Sequence, residues 1–194
     1  MTDIFSRRPI VVALAGPNGA GKSSFYRTYL QKAGLRFVNA DVLANQLQID
    51  SYKAAKIADD LRRRLVADRE SFIFETVFSD PVADKLNFLK EAEQSGYTTL
   101  LIFIGIHDSR ASETRVAMRV SKGGHDVPND KLKERFPRIM RNLSQALVRL
   151  PNVRVYDNSD LGRPYRFVVK KEEGRGIELR PPIPGWLEPL LAPR

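Results

Sequence analysis

The sequence predicts an α/β fold, helices packed around a mainly parallel sheet of five strands, and three observations predict it. Five short apolar runs recur along the 194 residues. Segments with helical spacing separate them. A glycine-rich octapeptide stands between the first run and the first helix candidate.

The expected strands are Ile10–Ala15, Leu35–Val38, Ser71–Phe74, Thr98–Ile106 and Val153–Tyr156. Between them the helices follow from spacing. Ala54, Ile57, Ala58, Leu61 and Leu65 form one apolar face, and Val82, Leu86, Leu89 and Ala92 a second. Leu132, Phe136, Ile139, Leu143, Leu147 and Leu150 form a third. Pro137 interrupts the third pattern, so a kink or a break is expected there. Tyr165–Lys170, Glu172-Glu173-Gly174 and Arg175–Leu179 read as a β-hairpin. The prolines after it exclude long regular structure, while Trp186, Leu187, Leu190 and Leu191 can anchor the tail.

Length and composition predict one domain over residues 1–194. Its core is expected over about 9–160, a small helical lid over about 115–138, and the hairpin with its proline-rich tail over about 161–194. There is no cysteine, and His107 and His125 are too few for a histidine-built metal site. The run from Ile10 is too short for a membrane span or a signal-peptide core, so no membrane is expected and a reducing cytoplasm fits. The net charge is +9 and the pI about 9.9, which suits an anionic partner. Ten Lys/Arg against four Asp/Glu between Arg110 and Arg149 place +6 of that charge in one segment.

Gly16-Pro17-Asn18-Gly19-Ala20-Gly21-Lys22-Ser23 satisfies G-x-x-x-x-G-K-[ST] at every fixed position, directly after a strand and before a helix. Glycines allow the tight wrap, backbone amides meet phosphate oxygens, Lys22 reaches the β- and γ-phosphates, and Ser23 offers a hydroxyl to Mg²⁺. These eight residues with Ser24 are the expected nucleotide site, on a P-loop NTPase fold. A guanine-specifying motif would need a lysine where Asp157-Asn158-Ser159-Asp160 has none, which favours ATP.

Strands two and three end in Asn39-Ala40-Asp41 and Glu75-Thr76. Ligands bind at the carboxyl ends of strands in such sheets, so Asn39, Asp41, Glu75 and Thr76 are expected on the acceptor side. A carboxylate such as Asp41 can orient a hydroxyl and accept its proton.

Gly16–Ser23, Asn39-x-Asp41, Phe74-Glu75-Thr76, Arg115-Val116-Ala117-Met118-Arg119-Val120 and Gly123-Gly124-His125-Asp126-Val127-Pro128, in that order, resemble the zeta-toxin family of P-loop kinases, above all its short bacterial members. The resemblance spans roughly Ile10 to Tyr156. It implies transfer of a phosphoryl group from ATP–Mg²⁺ to a hydroxyl of a UDP-activated amino sugar, UDP-N-acetylglucosamine in toxins of the family. It further implies Asp41 as the base, Glu75 and Thr76 at the sugar nucleotide, and Arg119 as a lid arginine, with an antitoxin protein as a possible partner. A second guanidinium would come from Arg115, Arg135 or Arg138, with Arg135 ranked first, and Gly123-Gly124 would let the lid close.

A P-loop regulatory ATPase acting through partners is disfavoured, because no second apolar strand followed by an aspartate of the kind such machines use for Mg²⁺ is found, and two other functions use the same residues. One is a nucleoside or other small-molecule kinase on this fold. The other is a nucleic-acid-binding or nucleic-acid-end-phosphorylating protein, which the basic charge favours. Against it, Phe136 is the sole aromatic residue within the basic segment, so stacking platforms are missing there.

Overall fold

The computed structural model describes residues 4–121 and 127–191. Strands β1 (Ile10–Ala15), β2 (Arg36–Val38), β3 (Phe72–Thr76), β4 (Thr98–Gly105) and β5 (Val153–Asp157) run parallel. They are joined by β6 (Arg166–Glu172), which pairs antiparallel with β5, and β7 (Gly176–Leu179), which pairs antiparallel with β6, in the order β2-β3-β1-β4-β5-β6-β7.

Every residue of β1 is buried because helices cover both faces of the sheet. Its side chains alternate between two cores. Val11, Ala13 and Ala15 face one core with Phe72, Phe74, Leu86, Leu89, Ile139 and Leu143. Ile10, Val12 and Leu14 face the other with Phe25, Leu30, Leu100 and Ile102.

Helix α1 (Lys22–Phe25) leads into a π-helical stretch, Tyr26–Leu30, and a 3-10 turn, Gln31–Ala33. Then follow α2 (Ala40–Leu47), α3 (Ser51–Ala67), α4 (Asp84–Gln94), α5 (Ser109–Val120), α6 (Asn129–Arg149) and α7 (Glu188–Leu191). Side-chain caps start three of them: Asn39 for α2, Asp50 for α3 and Asp108 for α5 accept bonds from first-turn amides. Among the described residues no helix is long and apolar enough to cross a membrane.

The five expected strands are present, and the predicted hairpin extends their sheet to seven strands. Left alone, β5 would expose an edge; β6 pairs with it and buries Val168 and Val169. Pro137 lies inside α6 without ending it, for the buried stripe of Leu132, Ile139, Leu143 and Leu147 continues on both sides. Ile57 and Val82 are exposed at 40% and 68%, not in the core. On α3 the buried row is Ala54, Ala58, Arg62 and Leu65, so Arg62 occupies the inward position and Ile57 lies to its side. Val82 precedes α4 altogether.

The connection leaving β1 turns toward β2, whereas that leaving β3 crosses to β4, so a crevice opens where these directions part. The register Ala15↔Thr76 sets the carboxyl ends of β1 and β3 side by side at its floor.

Candidate active site

A cleft of about 630 Å³ lies at this point. Asn18, Gly19, Gly21, Lys22, Ser23 and Ser24 form one wall, Asn39 and Asp41 border it, and Glu75 and Thr76 come from the end of β3. Arg62 and Lys85 line its far side, and Arg115 and Arg119 reach it from α5. Most of the site residues expected from sequence are therefore brought together.

Gly16 leaves β1 at φ +143°, with Ile104 O so close that an added Cβ would sit 2.2 Å from it. Lys22 folds back over the loop, and its Nζ donates to Gly16 O at 2.9 Å and Pro17 O at 3.0 Å. Burial lowers its pKa from the ordinary 10.5, opposed by the nearby Glu75 and Asp41 carboxylates. The Glu75 carboxylate stands 3.9 Å from the ammonium.

Glu75 is the junction of the two walls. Its Oε2 accepts from Ser23 Oγ at 3.0 Å and from Asn39 Nδ2 at 2.9 Å. Asn39 spends its carbonyl oxygen on the amides of Asp41 and Val42, so it caps α2 and braces Glu75. With the cap supplied by Asn39, the exposed Asp41 carboxylate is left to face the cleft from the first turn of α2. Thr76 borders the cleft while its hydroxyl accepts from Phe78 N at 3.0 Å, holding the turn that follows.

The motif implies a magnesium ion with the nucleotide. The Ser23 hydroxyl and Glu75 carboxylate fit one: both are oxygen donors of the hard kind this ion takes, they are adjacent, and both line the cleft.

Sequence reasoning missed the far wall. Arg62 is only 5% exposed, lies over the rings of Phe74 and Phe88 at 4.9 and 5.9 Å, and forms an ion pair with Asp59. Burial, with Arg63 nearby, pushes its pKa down to about 10. Lys85 pairs with the same Asp59 at 2.8 Å, and burial lowers its pKa too, with Arg62 adding to the effect. The available signal was an arginine in register with Ala54 and Ala58 on an apolar helical row.

Of the arginines expected in a lid, Arg119 is exposed near the end of α5 and borders the cleft. Arg115 donates to Ser159 O at 3.0 Å. Arg135 is not among the described residues that line the cleft, and Arg138 pairs with Glu134 along α6. Gly123, Gly124 and His125, the expected moving part of the lid, lie outside the described residues.

Comparison with known proteins adds to this geometry. A family model described as Zeta toxin matches residues 44–166. The matched segment contains Arg62, Glu75, Arg115 and Arg119 and begins after the P-loop and Asp41, which stand on their own geometry. An uncharacterized protein of Haemophilus influenzae is 28% identical over 126 residues, covering 62% of this chain and 88% of that protein. Among solved structures, AvrRxo1-ORF1:-ORF2 with ATP superposes with a TM-score of 0.70 at 17% identity, over 89% of this chain. This chain spans 61% of the length of that one. The PezAT chromosomal toxin-antitoxin system of Streptococcus pneumoniae gives a TM-score of 0.61 at 16% identity, over 78% of this chain and 69% of that one. At these identities the likeness to the two structures is one of fold.

Proposed function

The chain belongs to the zeta-toxin family of P-loop phosphotransferases, and on that premise we propose that it transfers the γ-phosphoryl group of ATP to a hydroxyl of a small anionic acceptor, a UDP-activated sugar such as UDP-N-acetylglucosamine. One observation carries the reading: a phosphate-binding loop and two strand-end carboxylates, Asp41 and Glu75, border a single cleft.

In this reading the P-loop amides and Lys22 hold the triphosphate, and Asp41 orients the acceptor hydroxyl. As the bond from the bridging oxygen to the γ-phosphorus breaks, the acceptor oxygen forms the new P–O bond, its proton passes to Asp41, and ADP leaves. Arg119 meets charge on the transferring phosphoryl oxygens. Ser23 and Glu75 would hold magnesium, which would supply positive charge against the phosphates of the nucleotide.

Arg62 and Lys85 support an anionic acceptor. Two cations share the Asp59 carboxylate at the far wall, and Arg62 is largely removed from water, so an anionic group on the acceptor would find charge already set in place. The diphosphate of a nucleotide sugar meets that requirement, and a neutral nucleoside does not. Because the Streptococcus pneumoniae relative belongs to a toxin-antitoxin system, a protein antitoxin is part of the same proposal. So is the cytoplasm, where ATP and nucleotide sugars occur together.

The test is product identification by mass spectrometry after incubation with ATP, magnesium and a panel of UDP-sugars, nucleosides and short oligonucleotides. A phosphorylated UDP-sugar is expected. A phosphorylated nucleoside or oligonucleotide in its place would reassign the acceptor.

A further inference from the structure

Three side chains from outside the P-loop hold three of its backbone carbonyls. Ser112 Oγ on α5 donates to Asn18 O at 2.6 Å. Asn158 Nδ2, just after β5, donates to Ala20 O at 2.8 Å. Tyr165 Oη, just before β6, donates to Gly21 O at 3.0 Å. Ser112 and Asn158 are buried, at 2% and 4% exposure.

We infer that Ser112, Asn158 and Tyr165 are positioning residues that aim the P-loop amides at the nucleotide phosphates. The inference rests on the nucleotide-binding reading above. A trans peptide is planar, so its C=O and the following N–H point in opposite directions. A carbonyl pinned away from the cleft therefore turns the next amide into it. Fixing Asn18 O orients Gly19 N–H, fixing Ala20 O orients Gly21 N–H, and fixing Gly21 O orients Lys22 N–H. These amides belong to the stretch that meets phosphate in such loops, and donors held beforehand lose little freedom when the ligand arrives.

The bracket is built closely around the loop. A Cβ at Gly21, whose φ is +91°, would lie 2.7 Å from Tyr165 Oη and 2.9 Å from Asn158 Nδ2. Asn158 is itself fixed at each end: its amide donates to Gly105 O at 2.8 Å, and its side-chain oxygen accepts from Tyr165 N at 3.2 Å. Tyr165 has φ +57°, a left-handed conformation unfavourable for a residue with a Cβ, which the surrounding contacts must impose. Its ring meets Phe25 and Tyr29 edge-on, at 5.2 and 5.8 Å. Ser112 ties the loop to α5, three residues before Arg115 and seven before Arg119.

The probes are ATP with magnesium, and inorganic tripolyphosphate, which reports phosphate binding without a base or a sugar. Calorimetric affinities for both are measured on the wild-type chain and on Ser112→Ala, Asn158→Ala, Tyr165→Phe, Lys22→Ala and Tyr97→Phe, alongside the melting temperature of each ligand-free protein. Tyr97→Phe is the control, because the Tyr97 hydroxyl also lies within hydrogen-bond distance of backbone carbonyls, those of Leu65, Val66 and Glu70, but away from the cleft.

Each bracket variant should lose roughly three- to tenfold in affinity for both ligands, the effect of one hydrogen bond of ordinary strength. Tyr97→Phe should lower the melting temperature and leave both affinities unchanged. Wild-type affinity in Ser112→Ala and Tyr165→Phe, or an equal loss in Tyr97→Phe, would overturn the inference while the nucleotide reading stands on Lys22→Ala. Failure of the wild-type chain to bind either ligand would overturn both. Should Asn158→Ala fail to fold, Ser112→Ala and Tyr165→Phe decide the matter by themselves.

Discussion

Ser23 of the P-loop and Glu75 at the end of β3 are joined by a 3.0 Å hydrogen bond, and Asn39 holds the same carboxylate oxygen from the other side at 2.9 Å. The P-loop and the strand-end residues thus share one carboxylate. Its place beside the Ser23 hydroxyl assigns Glu75 to the metal side of the proposed reaction as much as to the acceptor side.

From this follows the expected behaviour of Glu75→Gln. The amide keeps the size of the side chain and loses its charge, so the magnesium concentration for half-maximal rate should rise about 10- to 100-fold. A magnesium titration of initial rates measures this. An unchanged midpoint with a raised KM for the acceptor would place Glu75 on the acceptor alone.

Asp41→Asn should lower turnover far more than ATP affinity, because the proposed contact of Asp41 is to the acceptor hydroxyl. Steady-state kinetics with a parallel ATP-binding measurement separates the two quantities. Weakened ATP binding at an unchanged rate would move Asp41 to the magnesium shell.

The two α5 and α6 arginines named from sequence should behave differently. Arg119 borders the cleft and Arg135 does not. Arg119→Ala should reduce the rate of phosphoryl transfer by roughly 10²–10⁵-fold with little change in ATP affinity. Arg135→Ala should stay within about twofold, as surface substitutions usually do. Single-turnover rates on both variants test this, and the reverse ranking would mean that α6 supplies the cation when the lid closes.

What the sequence made legible was whatever physics writes locally. Burial on both faces turned β1, β3 and β4 into continuous apolar runs, and a loop that must wrap phosphate needs Gly16, Gly21, Lys22 and Ser23 at fixed spacing. The remainder depends on partners distant in the chain. Glu75 was recognised as a strand-end carboxylate, but its bond to Ser23 spans 52 positions. Arg62 drew no reading from the sequence, although it falls in register with Ala54 and Ala58, because what turns it inward is the packing of α3 over Phe74 and Phe88. Asn158 stood within a stretch read only for its missing guanine-specifying lysine, yet its side chain supports the P-loop 138 residues earlier. Pairing of β6 with β5 was likewise invisible, since an edge needing cover leaves no pattern in the strand that covers it.

In the proposed reaction this cleft moves a phosphoryl group and Lys22 holds it in place. The most direct measurement follows labelled γ-phosphate from ATP into an acceptor such as UDP-N-acetylglucosamine, with the wild-type chain and with Lys22→Ala shown to be folded. The wild-type chain should yield one labelled acceptor product and a matching amount of ADP, while Lys22→Ala should yield neither above background. Equal labelling by folded Lys22→Ala, or ATP consumed by the wild-type chain with all label released as free phosphate, would contradict the claim.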